Sequence, residues 1–253
     1  FWLTVFDDLV WWFSLKDAVK YNVKTNIIEY FPLGEYSRFS LNFTVDKDGM
    51  FFADHGCKNA IGMNHDGEII FHETQDYPGY PSFFPYVTSG PSWVYCSGSA
   101  GAAFSAGKIF GVPKTGGDII EITSAPVTIE NNDFHSTGSM KVVDDTLYYF
   151  HFYAGGSKVD PVWLVKVPVD GGESTVVFDA KEYAGYESPL VYDERRHAFY
   201  FTIRYSKRIY KYEIDSKMTN ILQLEHEPRG QVAVDDTYVY WYMNNGIYKT
   251  NKF

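Results

Sequence analysis

The 253-residue sequence predicts an all-β fold, a six-bladed β-propeller of four-stranded blades, and three observations carry that expectation. Aromatic residues make up 19% of the chain, a load that suits pleated sheet surfaces better than helix bundles. A turn residue followed by an aromatic-rich strand recurs six times at spacings of 40, 43, 54, 51 and 40 residues, a period that fits four short strands and their turns. No ten-residue stretch keeps apolar residues at the 3.6 spacing of a helix.

The six anchors are LVWWF after Asp8, GMFFA after Asp48, SWVYC after Pro91, TLYYF after Asp145, HAFYF after Arg196 and TYVYW after Asp236. Before each lies a candidate inner strand: Trp2–Phe6, Phe39–Val45, Phe83–Val87, Met140–Val143, Pro189–Tyr192 and Val232–Val234. After each comes a third strand, starting at Ala18, Ala60, Lys108, Trp163, Arg208 and Gly246. Five of the six then turn through Lys24-Thr25-Asn26, Asp66-Gly67, Thr115-Gly116-Gly117, Asp170-Gly171-Gly172 or Asp215-Ser216-Lys217. Such residues tolerate the positive φ that tight hairpins require. The strands that follow begin at Ile27, Glu68, Asp118, Ser174 and Asn220. A single up-and-down barrel is the other architecture considered, and this many strands is too many for it. The expected organisation is one domain over residues 1–253, with blades at about 1–33, 34–76, 77–124, 125–180, 181–226 and 227–253.

The segments Val234–Trp241, Trp163–Gly172 and Lys108–Gly117 resemble the six-bladed propellers of the YWTD and TolB-like group, and the likeness extends over nearly the whole chain. Blades one, three and five depart from the YWTD pattern. The group includes receptor ectodomains, periplasmic accessory proteins and enzymes, so the resemblance implies a scaffold and no particular activity.

The sixth blade is expected to lack its outer strand in the chain as given, because few residues follow Asp236 and Trp2–Phe6 already serves the first blade. An open row of N–H and C=O groups then runs along the last strand, with Gly246, Ile247, Tyr248, Lys249 and Thr250 as the acceptor edge. Two sources for the missing strand stand open. A further stretch of the same polypeptide supplies it, or a neighbouring molecule donates it by strand addition. Repeated head to tail, the second arrangement builds an open filament.

Functional chemistry is expected at the mouth of the central channel, where Arg38, His135, Glu187 and Arg229 form a candidate ring for a carboxylate, sugar or peptide. A mutually satisfied ion-pair network around a solvated channel explains the same residues. Tyr36, Tyr77, Tyr80 and Tyr186 are read first as packing between blades and second as sugar-stacking candidates. Asp54 and His55 fall short of the three or four ligands a metal site needs, and the seven histidines show no HExxH or HxH pattern. No metal, cofactor or catalytic residue is therefore assigned. Gly98-Ser99-Ala100-Gly101 is not a nucleophile elbow, and Lys114-Thr115-Gly116-Gly117 is not a phosphate loop. The segments Ser97–Gly107 and Ala125–Gly138 are the longest irregular stretches, where binding loops tend to concentrate.

A net charge of −10 speaks against a nucleic-acid surface, and no apolar run reaches the roughly 20 residues of a membrane-spanning helix. The sequence begins at Phe1 rather than at an initiator Met, which leaves room for a removed signal peptide. Cys57 and Cys96 form one disulfide or remain two buried thiols, and Asn42 heads a glycosylation sequon. Together these give an extracellular or periplasmic binding or assembly module. Its partner is a protein, or a second copy of itself, at the open edge, with carbohydrate as a further candidate ligand. The alternative is a hydrolase or lyase acting on a sugar or lactone at the channel mouth. A recognition domain with an exposed aromatic patch is a third reading.

Overall fold

The computed structural model describes residues 3–14, 16–34, 43–53, 59–74, 86–99, 107–123, 135–153, 162–180, 189–203, 205–228, 232–243 and 246–253. The chain forms two compact units, Phe1–Ser124 and Ala125–Phe253, each holding three antiparallel sheets. No described helix is long and apolar enough to cross a membrane.

The first unit contains the sheets β1 (Leu3–Phe6), β2 (Leu9–Phe13), β3 (Asp17–Asn22), β4 (Ile27–Pro32); β5 (Phe43–Asp46), β6 (Gly49–Ala53), β7 (Asn59–Met63), β8 (Ile69–Thr74); and β9 (Val87–Ser89), β10 (Trp93–Ser99), β11 (Gly107–Pro113), β12 (Ile120–Thr123). The second contains β13 (His135–Val143), β14 (Thr146–Tyr153), β15 (Val162–Pro168), β16 (Thr175–Asp179); β17 (Val191–Asp193), β18 (Ala198–Thr202), β19 (Arg208–Glu213), β20 (Thr219–Gln223); and the three-stranded β21 (Val232–Val234), β22 (Tyr238–Met243), β23 (Gly246–Asn251). Every sheet is a meander in which each strand pairs with its sequence neighbour.

The anchor motifs form the second strand of each sheet, and there the apolar-polar alternation of a half-exposed strand disappears. All five residues of β6 and all five of β18 are buried. A strand with cover on both faces must be apolar on both, which explains the unbroken aromatic runs. The core consequently lies between consecutive sheets. Trp11, Phe13 and Phe43 pack with Met50, Phe52 and Ile61 in the first unit. In the second, Tyr148 and Phe150 meet Phe199 and Phe201 edge-on or tilted, with ring centroids 5.0 Å apart in both pairs. Burying one such ring contributes about 1.5–3 kcal/mol.

The hairpins turn where the sequence supplies suitable residues. Asn26, Gly67, Gly116, Gly171 and Lys217 all have positive φ in the turns before the outer strands. Gly49 is needed for a different reason: its φ is 149°, and a Cβ there would stand 2.1 Å from the backbone oxygen of Met63.

The two irregular stretches are shorter than the sequence suggests. Ser97–Ser99 extend β10, Gly107 opens β11, and His135–Gly138 belong to β13. Small polar residues read locally as loop, but the backbone continues the ladder, with Ser99 opposite Gly107. His151 and Phe152 lie within β14, and His151 is fully buried. Cys96 is buried and disulfide-bonded, while Cys57, the other cysteine in the chain, lies outside the described residues.

Candidate functional site

The candidate site with the most complete geometry is the edge of β23. In each of the other five sheets the third strand is flanked on both sides, its outer neighbour being β4, β8, β12, β16 or β20. Among the described residues, β23 pairs with β22 alone. Its outer N–H and C=O groups therefore lack a ladder, the condition in which a strand templates further pairing.

A repeated tripeptide shows what the outer strand changes. Ile209-Tyr210-Lys211 in β19 and Ile247-Tyr248-Lys249 in β23 occupy the same register against their second strands, facing Thr202, Phe201 and Tyr200 in one case and Tyr242, Trp241 and Tyr240 in the other. In β19, where β20 pairs alongside and the sixth sheet packs on one face, Ile209 is 0% and Tyr210 2% exposed. In β23, Ile247 is 78% and Tyr248 40% exposed. Tyr242, directly across from Ile247, is also exposed, so the open edge borders an apolar patch. Tyr248 stacks on Trp241 at 6.2 Å and 20°. Lys249 places its Nζ 4.0 Å from the centre of the Tyr238 ring and, among the described residues, forms no ion pair.

Two local devices flank this edge. Asp235 caps the β21–β22 hairpin: its Oδ1 accepts the N–H groups of Thr237 and Tyr238, each at 2.7 Å, and its Oδ2 accepts the Tyr240 hydroxyl at 2.5 Å. These donors, Tyr240 foremost, stabilise the charged carboxylate and lower its pKa from 3.8 to about 2. A depressed carboxylate pKa adds stability above the unfolded value and forfeits it as pH falls through the folded one. An NMR titration should therefore keep the amides of Thr237 and Tyr238 hydrogen-bonded at pH 3 and release them toward pH 2; Asp235→Ala should abolish that acid step and lower stability near neutrality.

The second device is at the chain end. The strand runs over Gly246–Asn251, one residue beyond the expected acceptor edge, and Lys252 and Phe253 follow it. Lys252 Nζ bonds Asp193 Oδ2, a pair whose side chains are 1% and 5% exposed, and Phe253 sets its ring edge-on to Tyr200 at 6.0 Å. Arg196 approaches the same carboxylate at 3.6 Å. Burial of Tyr200 pushes its hydroxyl pKa up to about 12.

The first unit contains the same device. Lys114, the residue after β11, donates to Asp46, the last residue of β5, at 2.6 Å and to Asp48 at 2.7 Å. Lys114 is the first cause of a lowered Asp48 pKa. Sequence reasoning missed both clips. The available signal was a lysine directly after the third strand, at Lys114 and Lys252, with an aspartate ending the first strand of the preceding blade, at Asp46 and Asp193.

Of the expected channel ring, Arg38, Glu187 and Arg229 lie outside the described residues. His135 is placed only by its backbone, which pairs with Tyr153 at the start of β13. Asp54, His55 and Asn42 also lie outside, whereas Thr44 of the sequon is in β5. Among the described residues no group of three His, Cys, Asp or Glu side chains is arranged to hold a metal.

No protein-family model matches the chain, and no curated protein does. Solved structures do. A chain of the nidogen/laminin complex superposes with a TM-score of 0.62 at 12% identity, covering 96% of this chain and 88% of that one. The fold is a six-bladed β-propeller. Regucalcin from Agrobacterium tumefaciens, a calcium-binding protein, gives a TM-score of 0.54 at 15% identity over 92% of this chain and 77% of its own. An oligogalacturonate lyase in complex with manganese gives 0.56 at 9% identity, over 93% and 70% respectively. Proteins of such different function share the propeller, so the likeness speaks for the scaffold alone.

Proposed function

We propose that this propeller is a non-catalytic binding and assembly module of the extracellular or periplasmic space, and that its binding element is the edge of β23, which takes up an antiparallel strand from another polypeptide. Used repeatedly, the contact makes the protein a structural subunit of a secreted fibre or surface assembly. The observation that carries this reading is that, among the described residues, the outer side of β23 has no pairing strand and lies beside the exposed side chains of Ile247, Tyr248 and Tyr242. Main-chain bonds supply affinity in strand addition and the flanking side chains supply selectivity. A disulfide at Cys96 supports an oxidising compartment, and Cys57 is its proposed partner.

Hydrogen exchange on protein isolated from its native source tests the proposal. The amides of Ile247–Asn251 are expected to be protected as strongly as those of the interior strand β19, and to lose that protection when the isolated chain is diluted to a monomer. Edge-like exchange at β23 in the native material, together with a monomeric mass at every concentration, would overturn it.

A further inference from the structure

The registers of the complete blades specify what kind of strand β23 accepts. Aligned on their lysines, three third strands read Ala18-Val19-Lys20-Tyr21-Asn22, Ile209-Tyr210-Lys211-Tyr212-Glu213 and Ile247-Tyr248-Lys249-Thr250-Asn251. In the first, the outer strand β4 sets Phe31, Tyr30, Glu29 and Ile28 opposite the first four of these positions. In the second, β20 sets Leu222, Ile221, Asn220 and Thr219 there. Both outer strands thus run, from N to C, as a β-branched residue, an acid or amide, a Tyr or Ile, and a Phe or Leu.

The lysine position is the discriminating one. Lys20 and Lys211 are both buried to more than nine-tenths, and each has a carboxylate partner. Lys20 finds its partner across the ladder, in Glu29 of β4 at 2.7 Å. Lys211 finds its partner two residues along its own strand, in Glu213 at 2.5 Å, which leaves β20 to supply an amide, Asn220. Lys166 of β15, only half-buried, faces Thr175 and has no carboxylate among the described residues. A carboxylate thus accompanies the lysine where the lysine is buried, as the cost of desolvating an ammonium group requires.

Lys249 resembles Lys20. The residue two places on is Asn251, as it is Asn22 after Lys20, so β23 contains no carboxylate of its own at that position. We infer that the strand accepted by β23 is an acidic one, carrying a glutamate directly opposite Lys249, a Tyr or Ile opposite Tyr248 and a Phe or Leu opposite Ile247. This inference rests on the strand-acceptor reading above and adds the chemistry of the donor. The glutamate replaces the solvent around Lys249 as the strand covers it, and its position fixes the register, because a slip of one residue carries it to the opposite face.

The test uses the full chain and two synthetic peptides. One copies residues 26–32, which place Glu29 between Ile28 and Tyr30; the other has Lys in place of Glu29. Affinity is measured by fluorescence anisotropy, and the bound position by hydrogen exchange at Ile247–Asn251. The glutamate peptide is expected to protect β23 and to bind about tenfold more tightly than its lysine counterpart, since opposed charges in a ladder attract and like charges repel. The preference should reverse for Lys249→Glu, whose folded state should be retained because the side chain is exposed and loses only its contact with the Tyr238 ring. Equal affinity of both peptides at β23 would overturn the acidic-donor inference and leave the strand-acceptor reading standing. Protection of β23 by neither peptide would remove both.

Discussion

Lys252→Met is expected to lower the stability of the second unit by about 3–5 kcal/mol, because it leaves the Asp193 carboxylate buried without its ammonium partner. Arg196 compensates poorly: it approaches Asp193 at 3.6 Å from a side chain that is 40% exposed. The measurement is the guanidinium midpoint of unfolding followed by circular dichroism, with native-state hydrogen exchange to locate the loss. Exchange should quicken first in β17 and β23, the strands that end in or beside the pair. Replacing both partners, as Lys252→Met with Asp193→Leu, is expected to recover most of the stability, since removing a buried pair together spares the unpaired charge. A single variant as stable as the parent would show that the carboxylate reaches water without its partner. The clip bears on function too, because Lys252 follows directly on the edge strand and fixes the end of the surface on which a donor strand would lie.

With the proposed pairing of Cys96 to Cys57, reduction of the disulfide at Cys96 should cost roughly 4 kcal/mol, the loop-closure value for a loop of roughly 40 residues. The sulfur is surrounded by Ala53 and Phe110, so Cys96→Ala adds a small packing loss to the lost crosslink. Mass spectrometry of the intact chain should gain two hydrogens on reduction. The unfolding transition should move to lower denaturant on reduction. No mass change, or a transition that stays in place, would remove the crosslink from the account of stability.

Much of this architecture was legible along the chain. The second strands of the sheets announced themselves because cover on both faces demands apolar residues on both, as in GMFFA of β6 and AFYFT of β18. Turns were legible at Asn26, Gly67, Gly116, Gly171 and Lys217, where the chain needs positive φ and the residues permit it. The short last blade followed from counting. Loop boundaries were less legible: Ser97–Ser99 and His135–Gly138 have little strand propensity, and partners across the ladder rather than their own side chains hold them extended.

The candidate site divides in the same way. By itself the sequence determined that Gly246–Asn251 is a strand and the third of its blade. Tertiary structure decided that Ile247-Tyr248-Lys249 is exposed while Ile209-Tyr210-Lys211 is buried, although the two tripeptides are identical. It also decided that Lys252 would be sequestered against Asp193, 59 residues away, instead of extending the open edge. The physical reason is common to both. Strand propensity and hairpin geometry are properties of neighbouring residues, whereas burial and charge pairing depend on what lies alongside, and a distant partner is marked in the sequence only by a residue type at a repeated position, which does not say what it meets.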